Sequence, residues 1–212
     1  MERPADVEGG RTAVPTSSLE AFLNALASAK PAPGGGAAAA VAAGLAAALV
    51  GMVGRISMER DAAAAGLATV VDAADGFRRL AVRLIGDDAD AYRAVLSTRR
   101  TGGEEFQRAL VRATDVPLEV VRIARGTLAL GEAAAPRARA TVLGDLRAAV
   151  ALAWGAIEAA AVTVKANRVE LTDPVLAARF RKELDDSLVE AEAFRRRART
   201  LIEQRMGGTG SF

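Results

Sequence analysis

The fold is decided by KPAPGGGAAAAVAAGLAAALVGMVG, which runs from Lys30 to Gly54. Three glycines open it, and no charge follows before Arg55. The uncharged run is long enough to span a membrane. However, Ala and Gly contribute little to transfer into hydrocarbon, and no Trp or Tyr flanks the run. Because small residues let neighbouring helices approach closely, we expect a buried core helix, and a membrane span is the weaker alternative.

The composition of the 212 residues predicts an all-α protein. Alanine, the best helix former, dominates the apolar runs, and runs of β-branched residues are scarce. We expect a bundle of about six long helices in one domain, residues 16–206. A flexible tail (1–15) precedes it and a frayed C-terminus (207–212) follows it. No hydrophobic segment follows a basic start, so we expect no secretory signal and a cytoplasmic location.

Missing residue types narrow the chemistry. The chain has no Cys, which excludes disulfides and thiolates, and no His, which removes the commonest general base and metal ligand. Proton transfer is left to Asp, Glu, Lys, Tyr or bound water, and no metal or other cofactor is expected. The net charge of +2 fits an anionic ligand better than a nucleic acid, and RRRAR (195–199) is typical of a solvated helix face.

Helical spacing and capping residues predict six helices. Ser17 and Glu20 have the spacing of a capping box at the first of them. Gly86 interrupts the apolar spacing of the third predicted helix, and Pro117 is expected to kink or break the fourth helix. The segment TDP (172–174) caps the start of the sixth helix, and its proline lies in the first turn. In chain order the predicted ranges are about 17–30, 35–58, 64–99, 104–132, 142–167 and 172–206.

The densest acidic cluster is GDDADAY, from Gly86 to Tyr92. On a helix Asp87 and Asp90 share a side, and Asp88 lies about 100° round from Asp87. One interpretation is a solvated polar face. The other is a carboxylate held in a cleft, where neighbours or burial raise its pKa so that it acts as both acid and base.

Two further segments are candidates for ligand contact. Gly34–Gly36 open a helix whose N–H groups can bind an anion, although the segment is neither a P-loop nor a dinucleotide fingerprint, and close helix packing is the alternative. Asp145 begins the fifth helix and suits a cap, while Lys165 suits the helix C-terminus without any ligand. Asn167, near the same end, needs hydrogen-bond partners if it is buried, and a ligand can supply them.

Five segments occur in the order and approximate spacing of the cyclodeaminase/cyclohydrolase family. They are LEAFLNALASAKPAPGGGAAAAVAAGLAAALVGMV, DDADAY, VPLEVV, GDL and TVKANRVEL. The sequence resembles that family over nearly its whole length, from Ser17 to Arg205. The resemblance implies a dimeric, all-α enzyme that acts on one-carbon-substituted tetrahydrofolate. It would be either a methenyltetrahydrofolate cyclohydrolase or a formiminotetrahydrofolate cyclodeaminase. No formiminotransferase domain accompanies these residues, so the cyclohydrolase is the expectation.

The resemblance also implies roles for particular residues. Asp88 would be the catalytic acid/base, and Asp90 would tune its pKa or fix its position. Contacts to substrate would come from Lys30, Gly34, Gly35, Gly36, Tyr92, Asp145, Lys165 and Asn167.

Three positions depart from the family pattern. Gly86 replaces an Asp, for which Asp87 can substitute. Ala37 replaces a Ser, with loss of any hydroxyl contact to substrate, and Thr163 replaces an Asn. These departures keep a different class open, a non-catalytic helical module that binds folate or a partner protein.

Overall fold

A computed structural model describes residues 19–60 and 62–207. The predicted tail (1–15), the predicted capping residue Ser17 and residues 208–212 lie outside these ranges. Within them the chain forms six α-helices and no strand. The helices are α1 (Leu19–Leu26), α2 (Gly35–Arg60), α3 (Ala68–Thr98), α4 (Gly103–Ala134), α5 (Leu143–Val169) and α6 (Pro174–Gly207). Short 3-10 segments, Ala62–Leu67 and Ala140–Val142, precede α3 and α5. The all-α prediction is confirmed.

Helices α2, α4 and α5 form the centre of the bundle, and α4 packs against α2, α3, α5 and α6. Helix α2 packs against α3, α4 and α5, and α5 also packs against α4 and α6. Two segments, Gly35–Glu59 and Ala140–Val169, have the length and composition of membrane-crossing helices. They contain α2 and α5, and 56% and 44% of their most apolar windows are buried inside the bundle. Packing against neighbouring helices therefore accounts for much of their apolar character.

Small residues set the distance between helices. A Cβ added at Gly54 of α2 would lie 2.5 Å from Val71 Cγ2 of α3. A Cβ added at Gly126 of α4 would lie 2.6 Å from the ring of Phe77. Both distances are shorter than van der Waals contact, so these helices could not approach as closely with any larger residue.

Two local features differ from the expectation. Helix α4 is not broken at Pro117, which is itself buried. Helix α3 continues through Gly86 as its predicted range requires, because buried neighbours such as Leu84 and Ile85 outweigh the roughly 1 kcal/mol that an interior glycine costs. Helix α1 ends at Leu26, earlier than predicted, and in the turn that follows the Ser28 hydroxyl donates to the Ala25 carbonyl at 2.7 Å.

The start of α6 follows the prediction. Asp173 Oδ1 accepts hydrogen bonds from the N–H groups of Val175 (2.8 Å) and Leu176 (3.2 Å). Pro174 occupies the first helical position, where its missing N–H has no intrahelical acceptor to serve. This cap fixes where the chain turns after α5, the helix that supplies part of the site.

The RRRAR segment lies in α6 and is only in part the solvated face that the sequence predicts, because Arg196 is exposed whereas Arg195 and Arg197 contact other helices. Arg195 pairs with Glu192 at 2.7 Å and lies over the ring of Trp154, 4.4 Å from its centroid. Arg197 pairs with Glu132 of α4 at 2.6 Å. These side chains bind other parts of the bundle, which explains a cluster of arginines without a nucleic acid.

The contact between α2 and α3 gives a first prediction. Gly54→Ala places a methyl group against Val71 and should lower the free energy of unfolding by about 1–3 kcal/mol. Gly76→Ala, on α3 with nothing within 4 Å of the added Cβ, should raise it by about 0.5–1 kcal/mol. Urea denaturation measures both, and equal effects would show that close packing at Gly54 does not limit stability.

Candidate functional site

A cavity of about 270 Å³ opens where the start of α2 meets α3, α4 and α5. It contains one carboxylate, one amide and two hydroxyl side chains among small residues. Its lining is formed by Pro31, Ala32, Gly34, Gly35, Gly36, Asp88, Ala91, Tyr92, Ala113, Thr163 and Asn167.

The carboxylate of Asp88 caps the start of α2 from a different helix. Its Oδ2 accepts a hydrogen bond from the N–H of Ala37 at 2.9 Å. Ala37 belongs to the first turn of α2, where N–H groups have no intrahelical partner. Asp88 therefore has both a structural role and a place in the cavity.

Gly36 makes this contact possible. A Cβ at position 36 would lie 2.0 Å from Asp88 Oδ1 and 2.6 Å from its Cγ, so any larger residue would displace the carboxylate from its present position. A Cβ at Gly34 or Gly35 would have nothing within 4 Å. Of the three glycines, Gly36 is thus the one required by close packing, and its packing partner is the candidate catalytic group.

Burial raises the pKa of Asp88 above its ordinary value, and the hydrogen bond from Ala37 opposes that effect only in part. Desolvation disfavours the ionised carboxylate, whereas the N–H donor favours it. A carboxyl group with a raised pKa is better suited to take up and return a proton than an ordinary aspartate is.

Asn167 and Tyr92 complete the polar lining. Asn167 Nδ2 donates to the backbone carbonyl of Ala113 in α4 at 2.6 Å, which fixes the orientation of the amide. Thr163 lies one turn earlier on α5 and lines the same cavity. Tyr92 lies one turn after Asp88 and is 42% exposed, so it stands at the mouth of the cavity.

The other two aspartates of the cluster lie outside the cavity. Asp90 is exposed and pairs with Arg93 at 2.7 Å. Two helical positions correspond to a rotation of about 200°, so Asp90 and Asp88 lie on opposite sides of α3. The predicted role of Asp90 in tuning Asp88 is therefore not supported by any contact between them. Asp87 pairs with Arg112 of α4 at 3.6 Å.

Three of the predicted substrate contacts do not line the cavity. Lys165 is exposed and, by the same rotation of about 200°, faces away from Asn167. Asp145 is in the first turn of α5, about 33 Å along the helix axis from Asn167 at a rise of about 1.5 Å per residue. Lys30 is exposed and directly precedes Pro31 at the rim, so of the three only Lys30 is near the cavity.

Some lining residues were not predicted as site residues. Thr163 was noted only as a departure, yet its spacing of four from Asn167 places both on one helix face. Ala91 and Ala113 carry no chemical signal in the sequence, and only the packing of the helices brings them to the cavity.

Ala37 contributes its N–H, and its side chain is fully buried, so a serine hydroxyl there would not face the cavity.

The bundle and its cavity define an all-α protein with a carboxylate site at a helix start. Residues 18–186 match the family described as formiminotransferase-cyclodeaminase. The chain is 34% identical over 202 residues to a methenyltetrahydrofolate cyclohydrolase of Methylorubrum extorquens, with 89% of the chain and 97% of that protein covered. The crystal structure of formiminotetrahydrofolate cyclodeaminase from Thermotoga maritima matches with a TM-score of 0.85 at 25% identity, covering 88% of the chain and 96% of that structure. The chain belongs to the formiminotransferase-cyclodeaminase family.

The raised pKa of Asp88 predicts a pH-dependent stability. The protonated carboxyl is easier to bury, so its stabilising contribution is complete below about pH 4 and is lost as the pH rises through the folded-state pKa. Between about pH 4 and about pH 7 the difference in unfolding free energy should therefore shift in favour of Asp88→Asn over the wild type. Urea denaturation at both pH values measures this shift, with Asp90→Asn as the control on the same helix. A constant difference, or a shift in favour of the wild type, would contradict the raised pKa.

Proposed function

We propose that the protein hydrolyses 5,10-methenyltetrahydrofolate to 10-formyltetrahydrofolate. The observation that carries this proposal is the Asp88 carboxylate, half-buried in a cavity and held by the N–H of Ala37. The 34% identity to the Methylorubrum cyclohydrolase extends over 97% of that protein, which supports the same chemistry. The proposed reaction needs only water and substrate, so we propose no additional cofactor.

The substrate is a cationic amidinium whose bridging carbon accepts a water molecule. The Asp88 carboxylate would stabilise the cation and take one proton from the water as its oxygen bonds to that carbon. The N5–carbon bond then breaks, N5 receives the proton from Asp88, and the hydroxyl proton leaves to solvent as the formyl C=O forms. One proton is released in the overall reaction.

The size of the cavity suggests which end of the substrate it holds. Its volume of about 270 Å³ is slightly below the usual range of ligand pockets, which is roughly 300–1,000 Å³. We place the reduced pterin ring and the bridging carbon inside, with the remainder of the folate leaving past Tyr92. Lys30 at the rim is suited to pair with the glutamate carboxylates of the substrate.

A second candidate is the cyclodeaminase reaction. The TM-score of 0.85 to the Thermotoga enzyme favours it as the alternative. In this reaction N10 attacks the 5-formimino carbon, a proton reaches the amino nitrogen, and ammonia leaves to give the methenyl compound. The same carboxylate at position 88 can carry that proton.

The two reactions are separated by one assay. Purified protein is incubated separately with methenyl- and with 5-formiminotetrahydrofolate while the methenyl absorbance is followed. Loss of absorbance with the first supports the cyclohydrolase, and appearance with the second supports the cyclodeaminase. No change with either contradicts both, and folate binding by calorimetry without turnover would then favour a non-catalytic module.

We also propose that the protein works as a cytoplasmic homodimer. An apolar groove on the outside of α2 and α3 supports self-association. Leu45 and Val82 line it side by side and are 52% and 48% exposed, and a contiguous apolar surface of this kind is typical of a contact surface.

Asp88→Asn tests the assigned role directly. The amide can still accept from Ala37 but cannot carry the proton, so kcat for methenyltetrahydrofolate hydrolysis should fall by about 10²–10⁴-fold. Asp90→Asn removes an exposed carboxylate two residues away and should change kcat less than about threefold. An Asp88→Asn enzyme with wild-type kcat would remove Asp88 from the mechanism.

A further inference from the structure

Pro117 lies in the interior of α4 and is buried, a position where proline is normally unfavourable. In a continuous α-helix the N–H of residue 117 would donate to the carbonyl of residue 113, four positions earlier. Proline has no N–H, and its ring pushes that carbonyl aside. Pro117 therefore deprives the Ala113 carbonyl of its helical donor.

Asn167 of α5 supplies the missing donor. Its Nδ2 lies 2.6 Å from the Ala113 oxygen, a contact across 54 residues of sequence. A buried carbonyl without a partner costs about 1–3 kcal/mol, so this hydrogen bond also helps α4 to tolerate its proline. The bond joins the last residue of the TVKAN segment to α4 three residues before the VPLEVV segment begins.

The bond determines which atom Asn167 can offer to a ligand. A carbonyl can accept only from the NH₂ side of an amide, so Nδ2 faces α4 and Oδ1 lies on the other side of the group. Asn167 lines the cavity, and in the described ranges Oδ1 has no donor from the protein. With a non-proline residue at 117, the helix itself would satisfy the carbonyl and this orientation would no longer be enforced.

We propose that Pro117 is a positioning residue for substrate recognition, acting through Asn167 so that Oδ1 accepts a hydrogen bond from an N–H of the reduced pterin ring. This inference deepens the proposed function and rests on it for the identity of the ligand. Pro117 itself does not line the cavity. Its effect therefore falls on substrate binding, whereas the proton transfer by Asp88 is left unchanged.

The experiment compares four variants of the full chain. Pro117→Ala restores an N–H in α4, and Val116→Ala is the matched control because it also removes two buried carbons while leaving every backbone donor in place. Asn167→Ala and the double variant Pro117→Ala/Asn167→Ala complete a double-mutant cycle. KM and kcat for methenyltetrahydrofolate are measured for each.

Pro117→Ala should raise KM about five- to tenfold, the equivalent of one hydrogen bond, and change kcat less than about twofold. Val116→Ala should leave KM unchanged. In the Asn167→Ala background, Pro117→Ala should have no further effect on KM, because the residue through which it acts is absent. Additive effects in the double variant, or an unchanged KM in Pro117→Ala, would overturn the proposal.

A second readout is independent of turnover. The side-chain amide signal of Asn167 in an ¹⁵N NMR spectrum is assigned by its loss in Asn167→Ala. Its protons should exchange with solvent at least about fivefold faster in Pro117→Ala than in Val116→Ala, because the bond to Ala113 is weakened. Equal exchange overturns the positioning role even if folate is turned over. Faster exchange in a wild type that turns over no folate would instead leave the positioning intact and contradict the proposed function.

Discussion

The hydrogen bond between Asp88 and the N–H of Ala37 is the contact on which the site depends. It joins the interior of α3 to the first turn of α2 and leaves the carboxylate inside a cavity. The same carboxylate accepts a hydrogen bond from an N–H in the first turn of α2, which has no intrahelical partner, and is available for proton transfer. In the proposed reaction, stability and chemistry are therefore coupled at one side chain, whose pKa is raised by the burial that the capping contact requires.

The alanine- and glycine-rich sequence is what brings the carboxylate to this place. Aspartate is short, so it reaches the start of α2 only if the two helices are very close together. Gly54 against Val71 and Gly44 against Ala81 provide that closeness along α2, and Gly36 provides it at the site itself. A bundle built from larger residues would bury more apolar area per residue, but α3 would then lie too far from α2 for this contact.

The sequence predicted the helices, and several of its candidate site residues line one cavity. Helical spacing, capping residues and the resemblance to a family identified α2 to α6, the glycines, Asp88 and Asn167. It did not predict which polar residues face the cavity. Asp90 and Lys165 are near the right residues in sequence but about 200° round the helix.

Pro117, where a kink or break was expected, lies inside a continuous helix for a reason that neighbouring residues in the sequence do not reveal. Helix propensity treats proline as a terminator, because it removes a bond within its own helix. The compensating donor is Asn167, which lies on another helix and becomes a neighbour only after folding. Asp145 is a different case, because the sequence already places it at the start of α5 and Asn167 near the end, and the structure keeps them at opposite ends.

The placement of Asp88 is tested most directly by the activities of Gly36→Ala and Gly86→Ala. Each adds one methyl group, at 36 in the first turn of α2 and at 86 on α3, but only the methyl at 36 would collide with the Asp88 carboxylate, 2.0 Å from Oδ1. Gly86 does not line the cavity, and a Cβ there would have nothing within 4 Å. The measurement is kcat for methenyltetrahydrofolate hydrolysis, with circular dichroism to show that both variants are folded. Gly36→Ala should lose at least about 100-fold in kcat, and Gly86→Ala should stay within about threefold of the wild type. Equal activities of two folded variants would contradict the claim that the placement of Asp88 against α2 makes the site.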